Sequence, residues 1–193
     1  RWRLEVHGQA KASAEPAGKG VARVKIDKVD DTSWHVQFRH GHVKLQKGKY
    51  YTVSFAVRAD ARPGKTLGEI GSGATLNHEP WGDAGFYRGV RLTGDWREHR
   101  FGFVAGRTDD DCRVSFSMGQ SNASAVELRN VSIRSDGREG LAASESIAAA
   151  NILVYGPAET PARSADRYRF LAETEKKFFD GMYAFLKKDL GVK

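Results

Sequence analysis

From Val21 to about Ile133, apolar and polar residues alternate with a period of two, in runs of four to eight residues separated by turn residues. Ala22, Val24 and Ile26 alternate with Arg23 and Lys25. Trp34, Val36 and Phe38 alternate with His35, Gln37 and Arg39, and Tyr51, Val53, Phe55 and Val57 alternate with Thr52, Ser54, Ala56 and Arg58. Side chains of a strand point to opposite faces in turn, so each run predicts a strand with one face suited to a core. Phe101 with Phe103, and Val114 with Phe116 and Met118, continue the pattern, with Ser115 and Ser117 on the opposite side. Val126 and Leu128 share a parity that Val131 and Ile133 do not, which predicts a β-bulge near Arg129-Asn130. Turns are expected at Lys47-Gly48-Lys49, Arg62-Pro63-Gly64, Gly71-Ser72-Gly73 and Thr93-Gly94-Asp95. The fold class is therefore all-β, a β-sandwich or jelly roll.

After Ile133 the texture changes. Ser135-Asp136-Gly137 ends the strands, and an alanine- and serine-rich stretch leads to Pro157 and Pro161, as in a linker spanning 136–163. From Ser164 onward Tyr168, Leu171, Phe178, Met182, Phe185 and Leu186 fall at helical spacing, with Ser164 or Asp166 as N-cap and Gly191 as the stop. The tail is one amphipathic helix of about 24 residues over 164–193, whose apolar stripe needs a partner.

Composition narrows the classes. A chain of 193 residues with 40% hydrophobic and 28% charged residues can bury a sizeable core. Its mean hydropathy of −0.54 argues against a membrane protein. The first residues carry no signal-peptide pattern and are silent on secretion. The net charge is +7 and the pI about 9.6, yet the basic residues are scattered singly through the sandwich, which speaks against nucleic acid as partner. Cys112 is the single cysteine, so a disulfide framework and a cysteine-based zinc site are excluded; its acidic neighbours would raise a thiol pKa, and it is expected in the core.

No residue pattern singles out catalysis. Asp30-Asp31, Asp109-Asp110-Asp111 and Glu79 are expected in solvated loops, and His40-Gly41-His42 lacks a third metal ligand at usable spacing. Aromatic residues say more. Sugars offer flat C–H faces to stack on rings and hydroxyls to bond polar side chains. Trp81, after Pro80 in a loop, has no periodic reason to be core, and Tyr87 has the opposite parity to Phe86. On the strand from Trp34 to Arg39 the polar face carries His35, Gln37 and Arg39, an array able to hydrogen-bond hydroxyls, with Trp34 at the strand start able to lean into a cleft. Trp2 and Trp96, at strand edges, are expected to be structural.

These segments together resemble the carbohydrate-binding modules of the family four, nine and twenty-two group over roughly residues 1–135. The resemblance rests on Leu45-Gln46-Lys47-Gly48-Lys49-Tyr50-Tyr51-Thr52-Val53-Ser54-Phe55-Ala56-Val57-Arg58-Ala59, followed by Leu92-Thr93-Gly94-Asp95-Trp96 and by Val126-Glu127-Leu128-Arg129-Asn130-Val131-Ser132-Ile133. It implies a non-catalytic module that binds a plant or algal polysaccharide, a β-glucan, cellulose-like chain or xylan, and targets a linked glycoside hydrolase to it outside the cell. Trp81 and Tyr87 then fall on a cleft-edge loop, Trp34, His35, Gln37 and Arg39 line the cleft, and Trp96 and Phe55 are core. No cofactor follows except a structural calcium near the last strand, where Arg129 and Asn130 stand. The tail, Asp166-Arg167-Tyr168-Arg169-Phe170-Leu171 to Leu190-Gly191, resembles a helix of a (β/α)₈ glycoside hydrolase. Two alternatives are a structural sandwich packing on a hydrolase and a small jelly-roll enzyme acting on polysaccharides.

Overall fold

The computed structural model describes residues 1–135, 141–142, 145–147, 149–156 and 160–192. The chain divides into two units, Arg1–Arg138 and Glu139–Lys193. The expected stop at Asp136-Gly137, Pro157 and several other positions of the expected linker lie outside the described residues.

Among its described residues the first unit is a jelly-roll sandwich of ten strands: β1 (Trp2–Val6), β2 (Lys11–Pro16), β3 (Val21–Lys28), β4 (Val36–Leu45), β5 (Tyr50–Ala61), β6 (Glu69–Leu76), β7 (Asp83–Arg91), β8 (Arg97–Val104), β9 (Asp109–Ser117) and β10 (Ala123–Arg134). They form two antiparallel sheets, β1-β4-β9-β6-β7 and β2-β3-β10-β5-β8. The apolar parity of each run meets between them. Val24, Ile26, Val36, Phe38, Val53, Phe55, Val57, Phe86, Val114, Phe116 and Met118 are buried there with Cys112, and Trp2 stacks on Phe38 with ring centroids 4.9 Å apart. A fully buried Phe or Leu contributes about 1.5–3 kcal/mol, which makes this layer the main source of stability.

Several expectations are corrected. Gly71-Ser72-Gly73 is not a turn but the middle of β6, where Ile70, Ser72, Ala74 and Leu76 face inward. The aspartate run opens strand β9 rather than lying in a loop. Trp34 and His35 belong to a 3₁₀ turn, Ser33–His35, ahead of β4, so Trp34 leaves the core parity and is half exposed. Trp96 is not core either: it lies on the outer side of the second sheet, with Arg58 at 4.9 Å on the ring and Arg129 at 4.3 Å. The bulge is where parity put it, between Arg129 and Ser132, with Asn130 at φ 53°.

In the second unit α1 spans Pro161–Ala184 and continues as one π-helical turn, Phe185–Asp189. The helix starts three residues before Ser164 because Thr160 caps it, its hydroxyl accepting from the Arg163 N–H at 3.1 Å, with proline in the first turn, where its missing N–H costs nothing. Gly191 closes it at φ 62°. The expected stripe, Tyr168, Leu171, Phe178, Met182, Phe185 and Leu186, is exposed. Arg163 is held by Glu145 through two 2.7 Å bonds. Hydrogen bonds from Arg163 and from the Ala142 N–H bring the Glu145 carboxyl down to about 2. No helix among the described residues is long and apolar enough to cross a membrane.

Candidate carbohydrate-binding face

The site is built from the outward parity of the sheet β1-β4-β9-β6-β7. Pairing places Glu5, Gln37, Ser117 and Gly71 in one row across β1, β4, β9 and β6, and Arg39, Ser115, Gly73 and Tyr87 in the next row across β4, β9, β6 and β7. A third step along β9 brings Arg113 beside Thr75. At about 3.3 Å per residue, the floor from Arg113 to Ser117 runs about 13 Å along the strand.

Polar groups of this floor are bonded mainly to each other. Glu5 takes Arg39 Nε at 2.6 Å and Nη2 at 2.5 Å on one oxygen, and Arg113 Nη1 at 3.2 Å on the other. Arg39 Nη1 donates to Asn77 Oδ1 at 2.9 Å, and Asn77 Nδ2 donates to Asp111. Asn77 can reach because Gly41 has no side chain: a Cβ there would lie 2.9 Å from Asn77 Nδ2. Gln37 is nearly buried and donates to Ser117 Oγ at 3.2 Å. Such a preorganised layer presents fixed donors and acceptors to hydroxyl groups at little ordering cost.

Aromatic rings stand over this layer. The Arg113 guanidinium lies 5.1 Å from the Trp81 ring centre, and Trp81 stays 49% exposed. Burial lowers the Arg113 pKa, with Glu5 opposing this and Arg39 adding to it. Tyr87 is 64% exposed while its neighbour Phe86 is buried. Its ring lies against Gly71 and Gly73, whose absent side chains make the space: a Cβ at Gly71 would sit 2.7 Å from the phenol oxygen. Trp34 stands beside His7, where β1 ends, with ring centroids 5.4 Å apart.

The structure therefore brings Trp81, Tyr87, Gln37 and Arg39 onto one face and puts Trp34 on the turn that leads into β4. Tyr87 is on strand β7, not on a cleft-edge loop, because glycines in β6 and β7 disguise their alternation. His35 departs from Gln37 and Arg39: its Nδ1 is 2.7 Å from Asp30 Oδ2, and this contact holds the Asp30 carboxyl low. Sequence reasoning did not single out Glu5, Arg113 or Asn77. The outward parity of Ser115 and Ser117 was a usable signal for Arg113; Glu5 and Asn77 join the face only through strand pairing. Cys112 is buried, and burial together with Asp109 and Asp111 pushes its thiol up to about 11.

The last-strand position at which calcium is expected has these surroundings. Arg129 directs its guanidinium over Trp96, Asn130 is exposed, and no group of three or more His, Cys, Asp or Glu able to hold a metal occurs among the described residues.

Two antiparallel sheets closed over one core, with exposed rings above a polar outer face, define a jelly-roll module. The chain belongs to the carbohydrate binding domain family CBM_4_9, which it matches over residues 1–125. It is 32% identical over 108 residues to a cellulose 1,4-β-cellobiosidase of Acetivibrio thermocellus, a stretch of 54% of this chain but only 12% of that enzyme. A solved CBM4 structure aligns with a TM-score of 0.59 and 27% identity, covering 68% of this chain and 84% of its own. The N-terminal cellulose-binding domain of Cellulomonas fimi β-1,4-glucanase C shares the fold, with a TM-score of 0.54 and 18% identity over 71% of this chain and 90% of its own. Membership makes the first unit a carbohydrate-binding, non-catalytic module.

Proposed function

We propose that the face of Trp81, Tyr87, Gln37 and Arg39 binds a neutral β-linked polysaccharide, a β-glucan, cellulose-like chain or xylan, with Trp34 at one end. In a longer extracellular protein the module holds a linked glycoside hydrolase near its substrate, so that its contribution is local concentration rather than chemistry. The observation that carries this reading is the pair of exposed rings over a floor whose charged groups, Glu5, Arg39 and Arg113, are already bonded to one another. Such a floor offers hydrogen bonds to hydroxyls without an uncompensated carboxylate to act as acid or base. The cellobiosidase relative and the cellulose-binding domain of similar fold agree in kind with this ligand class.

Affinity electrophoresis tests it, in native gels containing in turn β-glucan, xylan, mannan and an acidic glycan, at low and high salt. Retardation in a neutral glycan that persists in salt is expected. Trp81→Ala, with unchanged circular dichroism, should weaken it about thirtyfold, the ~2 kcal/mol scale of an aromatic anchor. Retardation only in the acidic gel and only at low salt would overturn the reading, as would turnover of a glycan by the purified chain. Absence of retardation in every gel would leave a structural sandwich.

A further inference from the structure

His78 lies at the root of the loop that carries Trp81, and its ring is held on both sides. Nδ1 is 2.7 Å from the Glu79 carbonyl oxygen and Nε2 is 3.1 Å from Asp109 Oδ2, at the start of β9. A neutral imidazole has one donor and one acceptor nitrogen, so it can satisfy only one of two facing oxygens; the imidazolium satisfies both. The loop beyond it is strained: Trp81 has φ 56°, a left-handed conformation that a bulky residue adopts only when its surroundings impose it. One restraint is the bond from the Trp81 N–H to the His78 carbonyl at 2.8 Å, which ties the backbone of the tryptophan to the histidine.

We propose that His78 is a positioning residue for Trp81, and that its protonated ring latches the loop to β9 so that glycan binding is stronger at acidic to neutral pH than at alkaline pH. This rests on the reading that Trp81 touches the glycan. The groups facing the latch from its neighbours are Asp109 and Asp111 of β9, His42 of β4, whose Nδ1 is 3.0 Å from Asp111, and Arg113 under the indole. From the loop between β8 and β9, Arg107 donates to the Asp83 carbonyl and lies against Gly82. The His78 side chain is 49% exposed, so water and protons reach it. The Glu79 carbonyl first and Asp109 second raise its pKa above the usual histidine value. The Asp109 carboxyl is lowered, chiefly by the Asp111 N–H and then by His78. The latch has both bonds below the ordinary histidine pKa of about 6.5 and loses one of them as pH rises through the raised value. At the acid end it is lost when Asp109 protonates, below the ordinary aspartate value.

The test is an NMR pH titration of the full chain, without ligand, following the His78 ring and the Trp81 indole N–H. It is paired with retention in mixed-linkage β-glucan gels between about pH 6 and 9. Expected are a His78 pKa above 6.5, Trp81 signals that move with the same midpoint, and retention falling about two- to fivefold over that range, the scale of an exposed ion pair. His78→Gln should abolish the coupled shifts and flatten the retention profile, whereas His42→Gln should preserve both. A His78 pKa at or below 6.5, Trp81 signals that ignore its titration, or an unchanged profile in His78→Gln overturns the proposal. Coupled shifts together with Trp81→Ala retained like wild type would uphold the latch and overturn the assignment of Trp81 to the glycan site.

Discussion

Gly71 and Gly73 show how single residues shape the face. Both lie in mid-strand, where glycine weakens a sheet, and both are occupied from outside by Tyr87. Gly71→Val should therefore lift the phenol from the floor. Its expected signature is several-fold weaker retention in whichever glycan gel retards the wild type, with a Tm shift of only a few degrees, because the new side chain points outward and not into the core. Equal retention would show that the ring makes no contribution. The same glycines explain why Gly71-Ser72-Gly73 reads as a turn in the sequence: small residues there signal the close approach of a ring from the next strand, and no local pattern distinguishes that from a bend.

Among the elements, the long central strands were legible because they bury one face each and so keep a clean alternation. In β10 even the loss of parity at Asn130 carried information, since a bulge shifts every later side chain to the other face. β2 was not legible: Lys11–Pro16 packs with alanine and serine on an edge, leaving little apolar contrast. The helix was legible in type but not in its start, because Thr160 and Pro161 outrank Ser164 as a beginning only once the backbone is seen to turn there. Thr160→Ala removes the acceptor for the Arg163 N–H and should cost the helix about 1 kcal/mol. Hydrogen exchange should speed up at Arg163 and its first-turn neighbours while the sandwich amides stay protected; unchanged exchange would mean the cap is dispensable.

For the whole molecule, the second sheet carries its own ionic tie. Glu127 of β10 is buried and accepts Arg23 of β3 at 2.5 Å and Arg58 of β5 at 2.7 Å, joining three adjacent strands. Burial pulls its carboxyl upward, but the hydrogen bonds from Arg58 and Arg23 outweigh this and hold it below the usual glutamate value. Its contribution to stability is therefore present above the unfolded glutamate pKa of about 4.3 and lost as pH falls through the lower folded value. Glu127→Gln should cost about 1–3 kcal/mol in denaturant unfolding at pH 7 and much less at pH 3; an equal loss at both would sink the assignment. The sequence by itself determined that this chain makes a two-faced β structure with a helix after it, because periodicity is a local consequence of which face must leave water. It also marked Trp81 and Tyr87 as rings without a place in the core. The tertiary structure alone decided what lies beneath them. Glu5 meets Arg39 and Arg113 from strands 34 and 108 residues away, and Asn77 reaches over Gly41. Such meetings depend on strand order and register, which are set by how two sheets close over one core and not by any neighbour in the chain.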